Sequence, residues 1–254
     1  MRHSNRQERQ ERQGRQTRRD RKASRERVVT DRAREEVELA RAIQPRTDFQ
    51  KDLLNAILLR DAVFANGPAG TGKTFVVMST VIDWLKSGTI KKIVLSRPTV
   101  GMGNSLGLLP GDIREKFEPY LAALVQVVKD RYGANYYETQ LNNKNIEFVP
   151  LEYIRGRSFE DAVVIIDEFQ NTDEDTAYTI MTRLGEGSKM ICLGDITQND
   201  MKGRESGLDW AIDFIDRHKL FHLAEFVEGS SDDIVRSPFC KAVVKARERD
   251  LKEQ

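Results

Sequence analysis

From Pro45 onward, short apolar runs alternate with stretches whose apolar residues recur at helical spacing. Leu53, Leu54, Ile57 and Leu58 make one such stripe, and Asp48 stands where an N-cap is wanted, so the spacing predicts a helix from there. Residues 62–65 read as a strand, followed by a glycine-rich turn and a helix over about 73–86. Strands are predicted at 93–95, 146–149, 163–166, 190–193 and about 221–227. Between them the pattern predicts helices over 112–131, 173–184 and 206–216, with a last helix over 238–251. A Gly/Pro-rich stretch at 98–111 interrupts the alternation. The runs at 163–166 and 190–193 are apolar on both faces, which predicts a parallel sheet with helices packed on each side, an α/β fold. Ligands on such sheets bind where strands end.

Upstream the pattern fades. Residues 28–43 carry sparse apolar positions at Val37, Leu39 and Ile43, consistent with a short helix or linker that Pro45 stops. In 1–27, Arg6, Arg9, Arg12, Arg15 and Arg18 recur every third residue with glutamines following in step. Such a segment cannot bury a core and reads as a solvated arm. The expected organisation is an arm over 1–43 and one domain over 44–254.

Charge changes the picture of that arm. The 254 residues hold 41 Lys+Arg and 40 Asp+Glu, a net of +1. Residues 1–27 take eleven of the basic residues and four of the acidic ones, a local excess of seven positive charges. The remainder carries 30 basic and 36 acidic residues. Near-neutrality is thus the sum of a basic arm and an acidic body, and does not exclude RNA or DNA as a partner. Apolar runs are short, about five residues at 162–166 and six at 120–125, so no membrane span is predicted. The Arg-rich N-terminus does not read as a secretory signal, and the two cysteines argue for a reducing compartment. A cytoplasmic location is expected. Three histidines and two cysteines show no zinc spacing.

Gly67-Pro68-Ala69-Gly70-Thr71-Gly72-Lys73-Thr74 fits G-x-x-x-x-G-K-[ST] between a predicted strand and a predicted helix. Glycines let backbone N–H groups curl around phosphates, and the helix N-terminus adds positive potential. Lys73 is placed to reach the β and γ phosphates of ATP, and Thr74 to offer its hydroxyl to Mg²⁺. The strand at 163–166 ends in Asp167-Glu168. Asp167 suits the Mg²⁺ shell and Glu168 suits the base that orients or deprotonates water. Gln198, just beyond the strand at 190–193, suits a γ-phosphate sensor.

Six motifs now stand in order: GPAGTGKT, SRPTV (96–100), LGLLPGD (106–112), YIRGR (153–157), VVIIDEFQN (163–171) and GDITQND (194–200). Together they resemble the PhoH family, P-loop ATPases related to the first RecA-like domain of superfamily 1 helicases. The resemblance runs over about 45–248. It implies a single RecA-like P-loop NTPase domain of strand order 5-1-4-3-2, with the strand ending at Asp195 between those ending at Gly67 and Asp167. It implies a nucleic-acid-dependent ATPase, or helicase-like remodeller, acting on RNA or single-stranded DNA. By similarity Gln50 would hydrogen-bond adenine, Arg97, Thr99, Arg155 and Arg157 would touch a nucleic-acid backbone, and Arg236 would be an arginine finger. The competing reading is an ATP-gated assembly or adaptor that unwinds nothing. Tyr132, Tyr136 and Tyr137 read as packing at a helix end. Only 56 residues follow Gln198, too few for a second nucleotide-binding fold. The expectation is therefore a homo-oligomeric ring, by resemblance a hexamer, with each cleft between neighbours. No fused ribonuclease-type domain is expected, and the arginine-rich arm lies outside the shared pattern.

Overall fold

The computed structural model describes residues 43–98, 117–154, 156–201 and 205–252. Helix α1 (Asp48–Leu59) is capped by Thr47, whose hydroxyl accepts from the Gln50 N–H at 3.3 Å. Asp48, expected as the cap, sits instead in the first turn, where its charge faces the positive end of the helix. Strand β1 (Ala62–Asn66) leads into α2 (Lys73–Ser87), and β2 (Lys92–Ser96) follows. The helix expected over 112–131 is described from residue 117. It opens as a 3-10 turn at Glu118–Leu121, containing Pro119, and continues as α3 (Ala122–Tyr132). Gly133, at φ +85°, separates it from an unpredicted helix, α4 (Ala134–Asn142).

The remaining elements are β3 (Ile146–Phe148), β4 (Ala162–Ile166), α5 (Glu174–Met181), β5 (Lys189–Gly194), α6 (Gly207–His218), β6 (Ala224–Glu228) and α7 (Pro238–Lys252). Helix α5 is shorter than its pattern. Asp173 caps it through the Thr176 N–H, and beyond Thr182 the chain is drawn toward a parallel bridge between Leu184 and Phe159. Strand β6 starts three residues later than expected, because 221–223 form a turn that leaves Phe221 and Leu223 outside.

The six described strands pair in parallel in the order β3-β2-β4-β5-β1-β6. Five of them follow the expected arrangement, with β5 between the strands that end at Asn66 and Ile166. The correction is at the edge: the strand at Ile146, left out of the expected order, pairs outside β2 as a sixth member.

Alternation along the central strands divides the core. Val63, Ala65, Val163, Ile165, Ile191 and Leu193 point toward α1, α2, α3 and α4. Phe64, Val164, Ile166, Met190 and Cys192 point toward α5 and α6. Both faces of β4 are buried, which is why it reads as an unbroken apolar run. Truncating Phe64, fully buried on the α5–α6 side, should cost about 3–5 kcal/mol. Tyr137 is buried, and Tyr132 and Tyr136 lie against the first core with Lys86 over both rings. These tyrosines pack, as expected. Among the described residues no helix is long and apolar enough to cross a membrane.

Candidate nucleotide-binding site

The strands all point the same way, so the loops after β1, β2, β4 and β5 emerge along one edge. There Ala69, Gly70, Thr71, Gly72, Lys73, Thr74, Arg97, Asp167, Glu168, Asp195, Gln198 and Arg236 line one cavity of about 490 Å³. Phe75, Ala123 and Val127 supply an apolar wall.

The loop from Gly67 to Gly72 is held by its own backbone and by what lies behind it. The Gly67 N–H bonds the Gly194 carbonyl at 3.1 Å, tying the start of the loop to the end of β5. Thr71, fully buried, donates its hydroxyl to the Pro68 carbonyl at 3.0 Å. Gly72 takes φ +90° as it starts α2, and a Cβ there would stand 2.5 Å from Gln50 Nε2. Glycine is required both for the turn and for that approach. Lys73 donates its ammonium to the carbonyls of Gly67 and Pro68. Burial lowers its pKa, and Asp195, Asp167 and Glu168 oppose that in decreasing order.

Gln50 is buried and does not line the cavity. Its Nε2 donates to the Thr71 carbonyl at 2.8 Å and its Oε1 accepts from the Arg46 N–H at 2.9 Å. Both ends of the carboxamide expected at adenine are thus engaged, one propping the loop from behind and the other holding the chain before α1.

The acids come from the end of β4. The Asp167 N–H bonds the Ser96 carbonyl at 2.9 Å, and Glu168 turns out of the strand at φ +55°. A left-handed glutamate is costly, about 1–3 kcal/mol, and persists only where its surroundings hold it. Burial and the neighbouring Glu168 charge push the Asp167 carboxyl up to about 6, against the opposing pull of Arg97, the Glu168 backbone and Lys73. Arg97 lies inside the cavity: its guanidinium is 3.9 Å from Asp167 Oδ2 and 3.6 Å from Glu168 Oε1, and it donates to the Tyr120 carbonyl at 2.9 Å.

The third loop follows β5. Asp195 Oδ1 accepts from the Thr197 N–H and hydroxyl, and Oδ2 accepts from Gln198 Nε2 at 2.6 Å. Asn66, at the tip of β1, accepts from the Ile196 N–H at 3.0 Å. On the opposite rim the chain after β6 lies over the phosphate loop. The Val235 N–H bonds the Gly70 carbonyl at 3.0 Å, and Arg236, on this same chain, faces the cavity.

The remaining candidates separate. Arg157 pairs with Glu147 at 3.0 Å on the β3 edge and is absent from the cavity lining. Thr99 and Arg155 lie outside the described residues. Sequence reasoning did not single out Asn66, Gln170 or Phe75, and it aimed Arg97 at a different partner. Each lies within or beside a recognised motif, and none has a spacing signal of its own.

The sequence matches the PhoH-like protein family over residues 42–248. The chain belongs to that family. The PhoH-like protein of Bacillus subtilis (strain 168) is 41% identical over 210 residues, covering 82% of this chain and 65% of the relative. The PhoH-like protein of Mycobacterium tuberculosis (strain ATCC 25618 / H37Rv) is 38% identical over 210 residues, covering 82% and 59%. Protein PhoH of Escherichia coli (strain K12) is 36% identical over 207 residues, covering 80% and 58%. This PhoH-family chain therefore matches less than two thirds of the length of these relatives. Its fold also resembles the large terminase of a thermophilic bacteriophage, with a TM-score of 0.50 at 15% identity, covering 80% of this chain and 50% of that one. That likeness shows a shared fold and no more.

The cavity of this family member suits a hard cation. Thr74 and Asp167 both line it, offering a hydroxyl and a carboxylate whose ionised form is disfavoured by burial beside Glu168. Mg²⁺ prefers such oxygen donors and keeps several ligands from phosphate and water. Among the described residues no cluster of three or more His, Cys, Asp or Glu is placed to hold a metal ion.

Proposed function

We propose that this PhoH-family chain binds ATP with Mg²⁺ in the cavity at the strand ends and hydrolyses it to ADP and phosphate. The observation that carries the reading is convergence: Lys73, Thr74, Asp167, Glu168 and Gln198, drawn from three loops, face one space of about 490 Å³. The loop N–H groups and the α2 N-terminus receive the phosphates. Lys73, which reaches the carbonyls of Gly67 and Pro68 at the mouth of the loop, donates to β- and γ-phosphate oxygens. Thr74 and Asp167 would hold Mg²⁺, which would offset the negative charge of the phosphates.

Glu168 orients a water against the γ-phosphorus and takes its proton as the P–O bond to the ADP oxygen breaks. Gln198 donates to a γ-phosphate oxygen when one is present and returns to Asp195 after release. Arg236, supplied by the same chain, meets developing charge at the γ-phosphate. Gln50 acts on the nucleotide through the loop that it supports.

The finer reading is that hydrolysis is coupled to RNA or single-stranded DNA, with the basic arm adding phosphate contacts and identical subunits closing a ring over each cleft. Support comes from the family resemblance, from the excess of positive charge in 1–27 and from the single nucleotide-binding fold among the described residues. The test is ATPase rate with single-stranded RNA, single-stranded DNA and duplex at two salt concentrations, alongside sedimentation with and without ATP-Mg²⁺. Stimulation that weakens with salt, from an oligomer, is expected. Hydrolysis indifferent to every polynucleotide would return the chain to the ATP-gated adaptor reading, and a stable monomer would overturn the ring.

A further inference from the structure

Gln170 belongs to the VVIIDEFQN motif but to no step above. It is fully buried in the turn after Glu168. Its Nε2 donates to Glu168 Oε2 at 2.5 Å, and its Oε1 accepts from the Asp195 N–H at 3.2 Å. The direction of each bond is fixed by its partner, since a carboxylate only accepts and a backbone N–H only donates. A carboxamide is the neutral side chain that serves both from one position.

The surroundings are shaped to admit it. A Cβ on Gly194 would stand 2.7 Å from both Gln170 Oε1 and Leu208 Cδ2, and 3.2 Å from the Gln170 backbone nitrogen. A side chain at the end of β5 would thus crowd the amide together with Leu208. The next residue repeats the link: Asn171 Oδ1 accepts from the Asp200 N–H at 2.9 Å. The turn after β4 therefore grips the loop after β5 at both ends of the segment that carries Gln198.

We infer that Gln170 is a positioning residue that locks the Glu168 carboxylate to the backbone at Asp195, so that base and sensor segment move as one unit. The inference rests on the reading of Glu168 as the hydrolytic base. The geometry divides the carboxylate: one oxygen is held by Gln170, and the other faces the cavity, 3.6 Å from Arg97. Holding one oxygen orients the other toward water, and it stabilises the left-handed backbone of Glu168. A change at Gln198 on loss of γ-phosphate then reaches the base through Asp195 and one buried amide.

The test compares Gln170→Met, which removes both bonds, with Gln170→Glu, which keeps the acceptor for Asp195 and sets a second carboxylate against Glu168. Both should lower kcat on the order of 10- to 100-fold, the scale of a misplaced catalytic group. Affinity for a fluorescent ADP analogue should stay within about twofold. Gly194→Ala, which crowds the amide and Leu208 while leaving Gln170 and Glu168 themselves unaltered, should lower kcat in the same direction. The thermal midpoint gives an independent reading. Gln170→Glu should melt lower than the parent, and adding Glu168→Gln should restore most of the loss, because the new amide at 168 donates to the new carboxylate at 170. Were Gln170→Glu unable to fold alone, folding of the double variant would support the contact and its failure would overturn it. Parental kcat in both Gln170 variants, or no recovery in the double variant, overturns the inference. Parental turnover in Glu168→Gln alone would instead sink the base reading, leaving the thermal cycle to judge the contact.

Discussion

The two sides of the cavity are built differently. On the phosphate-loop side nearly every bond ends on a backbone carbonyl. Lys73 reaches Gly67 and Pro68, Gln50 and Thr71 reach Thr71 and Pro68, and Val235 reaches Gly70. On the acid side every bond described involves a polar side chain: Gln170 joins Glu168 to the Asp195 N–H, Gln198 donates to Asp195, and Arg97 lies near Asp167 and Glu168 while donating to the Tyr120 carbonyl. A backbone cradle presents N–H groups whatever the occupant does. A side-chain network can exchange partners as phosphate comes and goes. Binding and turnover should therefore separate by mutation.

The largest expected effect is on the acid side. Glu168→Gln should lower kcat by about 10²–10⁴, the usual contribution of a positioned base, with nucleotide affinity retained in equilibrium binding. Lys73→Ala should give the opposite signature: affinity for ATP-Mg²⁺ falling about 10- to 100-fold with loss of charge-assisted bonds to phosphate, read with a fluorescent nucleotide. If both variants lost affinity equally, the division between the sides would not stand.

Stability sharpens the comparison at smaller scale. Gln50→Ala leaves the Thr71 carbonyl and the Arg46 N–H without their partner. It should cost about 1–3 kcal/mol and lower the melting temperature by several degrees. An unchanged melting temperature with a lost preference for ATP over GTP would restore Gln50 to the base. Asp167→Asn should move the other way. The folded chain keeps the Asp167 proton up to about pH 6, while the ordinary value is 3.8, so stability is shed as pH climbs through that interval and is missing at pH 7. Removing the charge should raise the melting temperature of the nucleotide-free protein at pH 7 by a few degrees, about 1–2 kcal/mol, while Mg²⁺-dependent activity is lost. A melting temperature below the parent's would show that the acid is comfortable where it sits.

Legibility in the sequence followed the same division. The phosphate loop could be read because its chemistry lies in consecutive residues, with glycine marking the turns. The buried strands at 163–166 and 190–193 announced both their faces and the polar residues at their tips. Other features had no local signal. Nothing near Gln50 says whether its amide turns toward a base or toward Thr71; that depends on a loop 21 residues away. Glu168 looks like any strand-end acid until its φ is known. Ile146 was readable as a strand but not as an edge, since its place beside β2 depends on the chain between them. Helix α4 was missed because its apolar content is thin and only Tyr137 is buried.

The crossing of the C-terminal segment over the phosphate loop has a practical use. Cys192 is buried in the sheet, and burial pushes its thiol far from easy ionisation. Cys240, at the start of α7, is half-buried with its sulfur 3.8 Å from the Ala69 carbonyl. The native chain thus carries a selective attachment point for a small environment-sensitive dye at the lip of the nucleotide cavity. A dye placed there would report nucleotide arriving in the cavity without engineering a cysteine.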